Sequence, residues 1–194
     1  MARWMIYLVI GALLVAAFIW LGRLQKVQTQ AQAPAGALPR PEGAHEDAGG
    51  DESFWRLIGL IDRKALLADT DGASTAVEPL VEALAALSRG KIENFEDVLT
   101  AKLYALDGRN FAQAAGPNGD SDDAFLYARC FVVARGRAFF ETVLENPANM
   151  PSETGQWCEP LLLAAENAWE RKTGETWIYV PELSSESGSN TAQW

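Results

Sequence analysis

The sequence predicts an all-α protein, in which a single transmembrane helix and a disordered linker precede a compact bundle of about five to seven helices. The chain has 194 residues and is 48% hydrophobic, which is enough for a sizeable core in one domain. Ala and Leu are abundant while runs of Val and Ile are few, and this composition favours helices over strands. From Asp51 onward the apolar residues recur at steps of three and four, the spacing of one helix face.

Residues 4–22 are the predicted transmembrane helix of an N-terminal anchor, residues 1–24. The 19 residues between Arg3 and Arg23 are uncharged, and at about 1.5 Å per residue they span the roughly 30 Å hydrocarbon core of a bilayer. A cleaved signal peptide is the alternative, although its apolar region is normally only about 7 to 15 residues long. We therefore expect residues 4–22 to have the lipid bilayer as their partner.

The charges that flank this helix bear on its orientation. Arg3 and the amino terminus precede it, whereas Arg23 and Lys26 follow it. This slight excess after the helix favours a cytoplasmic domain, but a margin of one charge leaves the opposite orientation open. We expect a single-pass protein of the bacterial inner membrane.

Three further segments follow the anchor. Residues 25–51 are rich in Pro, Ala and Gly without apolar periodicity, and we interpret them as a flexible linker. Residues 52–183 are the predicted α-helical domain, and the polar residues 184–194 are predicted to be a disordered tail. The only histidine, His45, lies in the linker, where it would lack the fixed neighbours that catalysis or ligation requires.

The helices of the domain are separated by capping and turn residues. One helix is expected from Ser53 to the acidic turn Asp69-Thr70-Asp71-Gly72, a second from about Ser74, and a third from Ser88 to Asp107-Gly108. The remaining predicted elements are a short segment at Arg109–Ala115, the loop Gly116–Gly119, a long helix from Ser121 to Asn146-Pro147 that Gly136 bends or divides, a last helix at Trp157–Thr173, and an extended strap at Trp177–Val180.

The soluble part is acidic, because 23 acidic and 12 basic residues follow Gly50 and give a net charge of −11. Such a surface repels phosphate backbones, so we expect no nucleic acid partner. A basic face on another protein would be attracted to it. A solvated surface that only keeps the domain soluble is the alternative.

Asp120, Asp122 and Asp123 are candidate binding residues, because carboxylates grouped at a helix start can hold a cation or act as an acid and base. Capping of the helix explains the same residue types. Arg129 and Arg137 are candidate receivers of a carboxylate or phosphate, and pairing with the acidic residues of the domain itself is their alternative role.

Several chemistries lack their motifs in this sequence. It has no GxSxG, no phosphate-binding Gly loop and no paired Cys/His ligands, so we predict no catalytic residue, no cofactor and no metal. The two cysteines, Cys130 and Cys158, fall on different predicted helices. They form either one disulfide or two buried thiols that pack as small apolar side chains.

Four motifs occur in a characteristic order: Phe54-Trp55, Ser121 to Arg129 (SDDAFLYAR), Ala134 to Arg137 (ARGR) and Asn146-Pro147. In this order they resemble the bacterial family known as domain of unknown function 4240, from about Ser53 to Thr176. The resemblance implies a helical domain that is usually a soluble unit, and it implies no activity. Ala128 stands where the family usually has Phe, and Phe131 where it usually has Trp, which indicates a repacked core.

Two functions are consistent with these observations. The first is a non-enzymatic protein-interaction module of an immunity-like or regulatory kind. The second is an enzyme that acts on a small polar or phosphorylated substrate through Asp122, Asp123 and Arg129. The missing catalytic motifs favour the first.

Overall fold

The computed structural model describes residues 48–68, 73–153 and 155–194. The predicted transmembrane helix and most of the predicted linker lie outside these residues. Within the described part of the chain, none of the helices has both the length and the apolar character needed to cross a membrane. The part from Glu46 onward forms one compact unit, and the fold is described for that unit alone.

The all-α prediction is confirmed, since the described residues contain eight α-helices and no β-strand. The helices are α1 (Ala48–Ile58), α2 (Arg63–Ala68), α3 (Ala73–Ala85), α4 (Arg89–Ala105), α5 (Arg109–Ala114), α6 (Asp122–Ala134), α7 (Arg137–Glu145) and α8 (Ala164–Thr173). Short 3₁₀ helices lie at Gly116–Gly119, Pro147–Asn149, Glu159–Leu163 and Thr191–Gln193. The count of eight is one above the predicted range.

Helix α4 is the centre of the bundle and packs against α1, α3, α6 and α8. Its side chains Ile92 and Leu103 are completely buried, as the predicted helical spacing requires. Phe54 of α1 packs on Phe95 of α4 with ring centroids 5.2 Å apart. Burial of side chains of this size contributes about 1.5 to 3 kcal/mol each, so these contacts hold α1 on the bundle.

The predicted first helix is divided in the structure. Helix α1 ends at Ile58, and Asp62 begins α2 by accepting hydrogen bonds from the main-chain N–H groups of Lys64 and Ala65 at 2.9 and 3.1 Å. A carboxylate that accepts from the first free N–H groups is a favourable helix start. The helical spacing of apolar residues continues across Asp62, so the sequence does not indicate this division.

Gly136 divides the predicted long helix into α6 and α7. Its φ angle is +93°, a backbone conformation that residues other than glycine rarely adopt. A Cβ at this position would also lie 2.6 Å from a guanidinium nitrogen of Arg63. The predicted bend or division at Gly136 is therefore a complete break.

Ion pairs attach the first turn of α1 to the domain. The ammonium group of Lys102 pairs with Asp51 and also lies 5.5 Å from the ring centre of Trp55. Arg137 contacts Asp51 at 3.6 Å and Glu52 at 3.0 Å. The first residues of α1 are thus held by two cations from different helices.

Candidate functional site

Arg129 is the most deeply buried charged group on α6, with no exposed surface. One terminal nitrogen donates to the carbonyl of Leu103 at 2.9 Å. The other donates to the carbonyl of Ser185 at 3.0 Å and to the hydroxyl of Ser187 at 2.9 Å. The guanidinium carbon also lies 4.7 Å from the ring centre of Phe125. Four contacts thus hold the guanidinium group: two main-chain carbonyls, one hydroxyl and one aromatic ring.

The electrostatic surroundings of Arg129 are unusual for an arginine. Burial lowers the pKa of Arg129, and the negative charge of Asp107 acts in the opposite direction. Its Nε atom has no hydrogen-bond partner among the described residues. A cation buried in this way is stabilised mainly by its hydrogen bonds and by the nearby carboxylate.

Asp107 lies two residues beyond the end of α4 and is completely buried. In the described chain its carboxylate accepts four hydrogen bonds, from the main-chain N–H groups of Gly188 (3.0 Å) and Asn190 (2.8 Å), the hydroxyl of Ser189 (3.2 Å) and the indole N–H of Trp194 (2.9 Å). Every one of these donors belongs to residues 184–194. Hydrogen bonds to an ionised group are roughly twice as strong as neutral ones.

The structure of residues 184–194 differs from the predicted disordered tail. Ser187 donates to the carbonyl of Asp122 at 2.7 Å, Asn190 is buried, and Arg109 donates to the carbonyl of Trp194 at 2.9 Å. We name residues 184–194 the C-terminal segment. It carries no apolar periodicity, and polar groups opposite distant residues leave no such pattern in a sequence.

The predicted acidic residues lie at the start of α6, where capping residues are expected. Asp122 and Asp123 occupy the first turn, and the Ser121 hydroxyl accepts from the N–H of Ala124 at 3.2 Å. All three acidic candidates are exposed, and Asp120 borders a surface hollow of about 400 Å³ beside Arg109 and Trp194. The predicted capping arrangement is therefore present.

The structure does not bring all five predicted binding residues together. Ser187 bridges Arg129 and the main-chain oxygen of Asp122. Arg137 lies on α7, where it pairs with Glu141 at 2.8 Å and with residues of α1. Pairing with acidic residues of the domain was the predicted alternative for Arg137, and this alternative is the one seen.

A second polar cluster, which sequence reasoning missed, lies between α4 and α8. Burial raises the pKa of Glu96 to about 7, and the neighbouring carboxylates of Asp97 and Glu166 add to the increase. The hydroxyl of Tyr179 contacts both carboxylate oxygens of Asp97, at 2.8 and 2.7 Å. These residues are distant in sequence, so only the folded chain brings them together.

Substitution of Glu96 by Gln is expected to stabilise the protein at about pH 8 by on the order of 3 kcal/mol and to have little effect at about pH 4. The folded pKa of about 7 exceeds the ordinary value of 4.5, so the folded state holds a proton that the unfolded state releases. The stabilising contribution of Glu96 is therefore complete below pH 4.5 and is lost as the pH rises through 7. Urea unfolding of the wild type and of Glu96→Gln across this range measures the effect.

Glu141→Gln is the matched control, because the Glu141 side chain is 54% exposed. Because Glu141 pairs with Arg137, Glu141→Gln should not stabilise the protein at about pH 8, in contrast to Glu96→Gln. A Glu96→Gln effect that is equal at both pH values would contradict the assignment of a raised pKa to Glu96.

The described residues offer no group of three or more His, Cys, Asp or Glu side chains arranged to hold a metal ion. Cys130 and Cys158 are both unbonded and buried, which is the second of the two predicted alternatives. Burial raises the pKa of the Cys130 thiol well above its ordinary range and that of Cys158 to about 12. Both thiols are protonated at neutral pH and pack as small apolar groups.

The fold and the site define an all-α domain in which the C-terminal segment closes over a buried Asp107 and Arg129. A family model described as "Protein of unknown function (DUF4240)" matches residues 50–171. This match covers more than half of the chain, and the chain belongs to that family. The predicted resemblance is thereby confirmed. Neither the curated proteins nor the solved structures compared with the chain include a match.

Proposed function

We propose that this chain is a non-enzymatic interaction module, immunity-like or regulatory, that binds another protein close to a membrane. The observation that carries the proposal is an exposed apolar row on the extended segment after α8. Ile178 is 76% exposed, Val180 58% and Leu183 42%. Apolar side chains that lie together at the surface of a soluble domain commonly mark an interaction site.

Side chains alternate in direction along the extended segment, and this alternation directs the apolar row towards solvent. Trp177 packs against Trp169 of α8 with ring centroids 6.0 Å apart, and Tyr179 bonds to Asp97. Side chains of an extended chain point alternately to opposite sides. Ile178 and Val180 therefore face away from the contacts that Trp177 and Tyr179 make.

The charged residues around the apolar row indicate the chemistry of the partner. Glu175, Glu182 and Glu186 flank the apolar row and are exposed, and the soluble part has an overall excess of acidic residues. A partner of complementary chemistry has an apolar patch bordered by Lys or Arg. A nucleic acid does not have this chemistry, because its phosphates would be repelled.

The contacts of the Asp and Arg candidates do not favour the alternative enzyme. Arg129 is buried and bonded to Leu103, Ser185 and Ser187, so it is not positioned to receive a substrate from solvent. Asp122 and Asp123 fit the capping role. The contacts of these residues are those of groups that stabilise the fold, as expected for an interaction domain.

Membrane attachment through residues 4–22 belongs to the same proposal and rests on the uncharged run between Arg3 and Arg23. The charges after this run favour a domain on the cytoplasmic side. A tethered module would meet its partner at or near the bilayer. A short flexible tether raises the effective concentration for such an encounter.

The proposal is tested by placing a photo-crosslinking amino acid at Ile178 in the full chain within native membranes. A second variant carries it at Leu67 of α2, which is 57% exposed and lies outside the apolar row. We expect a discrete adduct from position 178 that Val180→Lys reduces at least about tenfold. The adduct should also weaken as salt increases. Equal adducts from both positions, or none from position 178, would reject this surface as the interaction site.

A further inference from the structure

The buried pair Asp107 and Arg129 has the features of a recognition site. Both groups are fully buried, and all the donors to Asp107 among the described residues come from the C-terminal segment. Buried ionic groups stabilise a fold poorly compared with apolar side chains of similar volume. They are well suited to recognising a polar chain with defined geometry.

The groove around this pair is built by three helices. The end of α4 offers the carbonyls of Tyr104 and Ala105, which accept from the side chains of Asn190 (3.0 Å) and Gln193 (3.4 Å). Arg109 lies at the start of α5. Helix α6 contributes Arg129 and the main-chain carbonyl of Asp122. The groove thus presents a carboxylate, two guanidinium groups and several carbonyls to one segment, which turns at Ser187 and Gly188 and ends in the 3₁₀ helix at Thr191–Gln193.

The groove recognises mainly peptide main chain. Gly188 and Asn190 donate their main-chain N–H groups to Asp107, and Ser185 and Trp194 accept through their carbonyls. Many peptides can supply these groups, but two restrictions apply. Gly188 has a φ angle of +84°, which residues other than glycine rarely adopt, and proline has no N–H.

The C-terminal segment is attached by polar contacts with little apolar burial. Its sequence, SSESGSNTAQW, contains one large apolar side chain, Trp194, which is 39% exposed and lies 6.1 Å from the ring of Phe125. Each of these polar contacts can be replaced by an equivalent contact to water or to another polar chain. The family match also ends at residue 171, before this segment, while it includes Asp107 and Arg129.

We propose that the groove between α4, α5 and α6 is a peptide-binding site, and that residues 184–194 occupy it as a built-in ligand. A segment of a partner protein with the same chemistry, small polar residues around a glycine followed by an aromatic residue, displaces the built-in ligand and binds in its place. This site is separate from the apolar row at Ile178 and Val180. Each of the two can therefore be tested without the other.

The test uses the full chain in mild detergent and a fluorescent synthetic peptide of residues 184–194. The built-in ligand competes at a high effective concentration, of the order of millimolar. We therefore weaken it in the full chain with Ser187→Ala and Asn190→Ala together. Fluorescence anisotropy should show saturable binding of the peptide at least about tenfold tighter to this double variant than to the wild type.

A peptide carrying Gly188→Pro is the control. It lacks one N–H donor to Asp107 and cannot adopt the φ angle of +84° at this position, so it should bind at least about tenfold more weakly. Circular dichroism establishes whether the double variant retains its helices. A folded double variant that does not bind the peptide would overturn the proposal. A double variant that no longer folds would also overturn it, because the segment would then be part of the core rather than a ligand.

Discussion

Gly119→Ala is expected to lower the free energy of unfolding by about 4 kcal/mol or more. The added Cβ would overlap the carbonyl oxygen of Ala112 and lie 2.8 Å from its carbonyl carbon. Both atoms belong to the main chain of α5, so no side-chain rotation relieves the overlap. The 3₁₀ turn at Gly116–Gly119 would have to move away from α5. Urea unfolding followed by far-ultraviolet circular dichroism measures the loss.

Gly90→Ala is the matched control for this substitution. It lies in the first turn of α4, and a Cβ there would meet no atom within 4 Å. Alanine at an exposed helical position stabilises by about 0.5 to 1 kcal/mol relative to glycine. If Gly119→Ala were as stable as Gly90→Ala, the close approach of the turn to α5 would be refuted.

The second large effect is expected from Asp107→Ala, which removes the acceptor of four hydrogen bonds from the C-terminal segment. We expect this segment to detach and the free energy of unfolding to fall by about 3 kcal/mol. Detachment lets water reach Arg129, which limits the cost of removing the nearby carboxylate. Hydrogen exchange should show the amides of Gly188 and Asn190 losing their protection while amides of α4 retain theirs.

Asp123→Ala is the control, because Asp123 is an exposed acidic residue in the first turn of α6. Its loss should cost about 0.5 kcal/mol through the helix dipole and should leave the protection of Gly188 unchanged. Undiminished protection of Gly188 in Asp107→Ala would show that contacts other than those to Asp107 hold the segment.

The helical fold could be predicted because its determinants are local. Ile92 and Leu103 fall on one face of α4 by their spacing, and Gly136 marks a break that a single residue can produce. The division between α1 and α2 was missed, because Asp62 interrupts the helix without interrupting the apolar pattern.

The site could be predicted only in part. The sequence predicts Arg129 as a candidate residue, but it indicates Asp107 only as the end of a helix. The contacts that join Asp107 to the C-terminal segment span more than 80 residues, and no periodicity marks them. The pKa of Glu96 is likewise raised mainly by burial in the folded chain, and also by Asp97 and by Glu166 of another helix. Long-range polar pairing of this kind is visible only after the chain has folded.

The ion pairs at the beginning of α1 have a mechanical consequence. A pulling force that reaches the domain through the residues before Ala48 is first applied to Asp51 and Glu52. Lys102 and Arg137 hold these two carboxylates from α4 and α7, so the load is shared between two helices of the bundle. The aromatic contact of Phe54 with Phe95 follows these ion pairs along α1. The entry point of the domain is thus reinforced against peeling of its first helix.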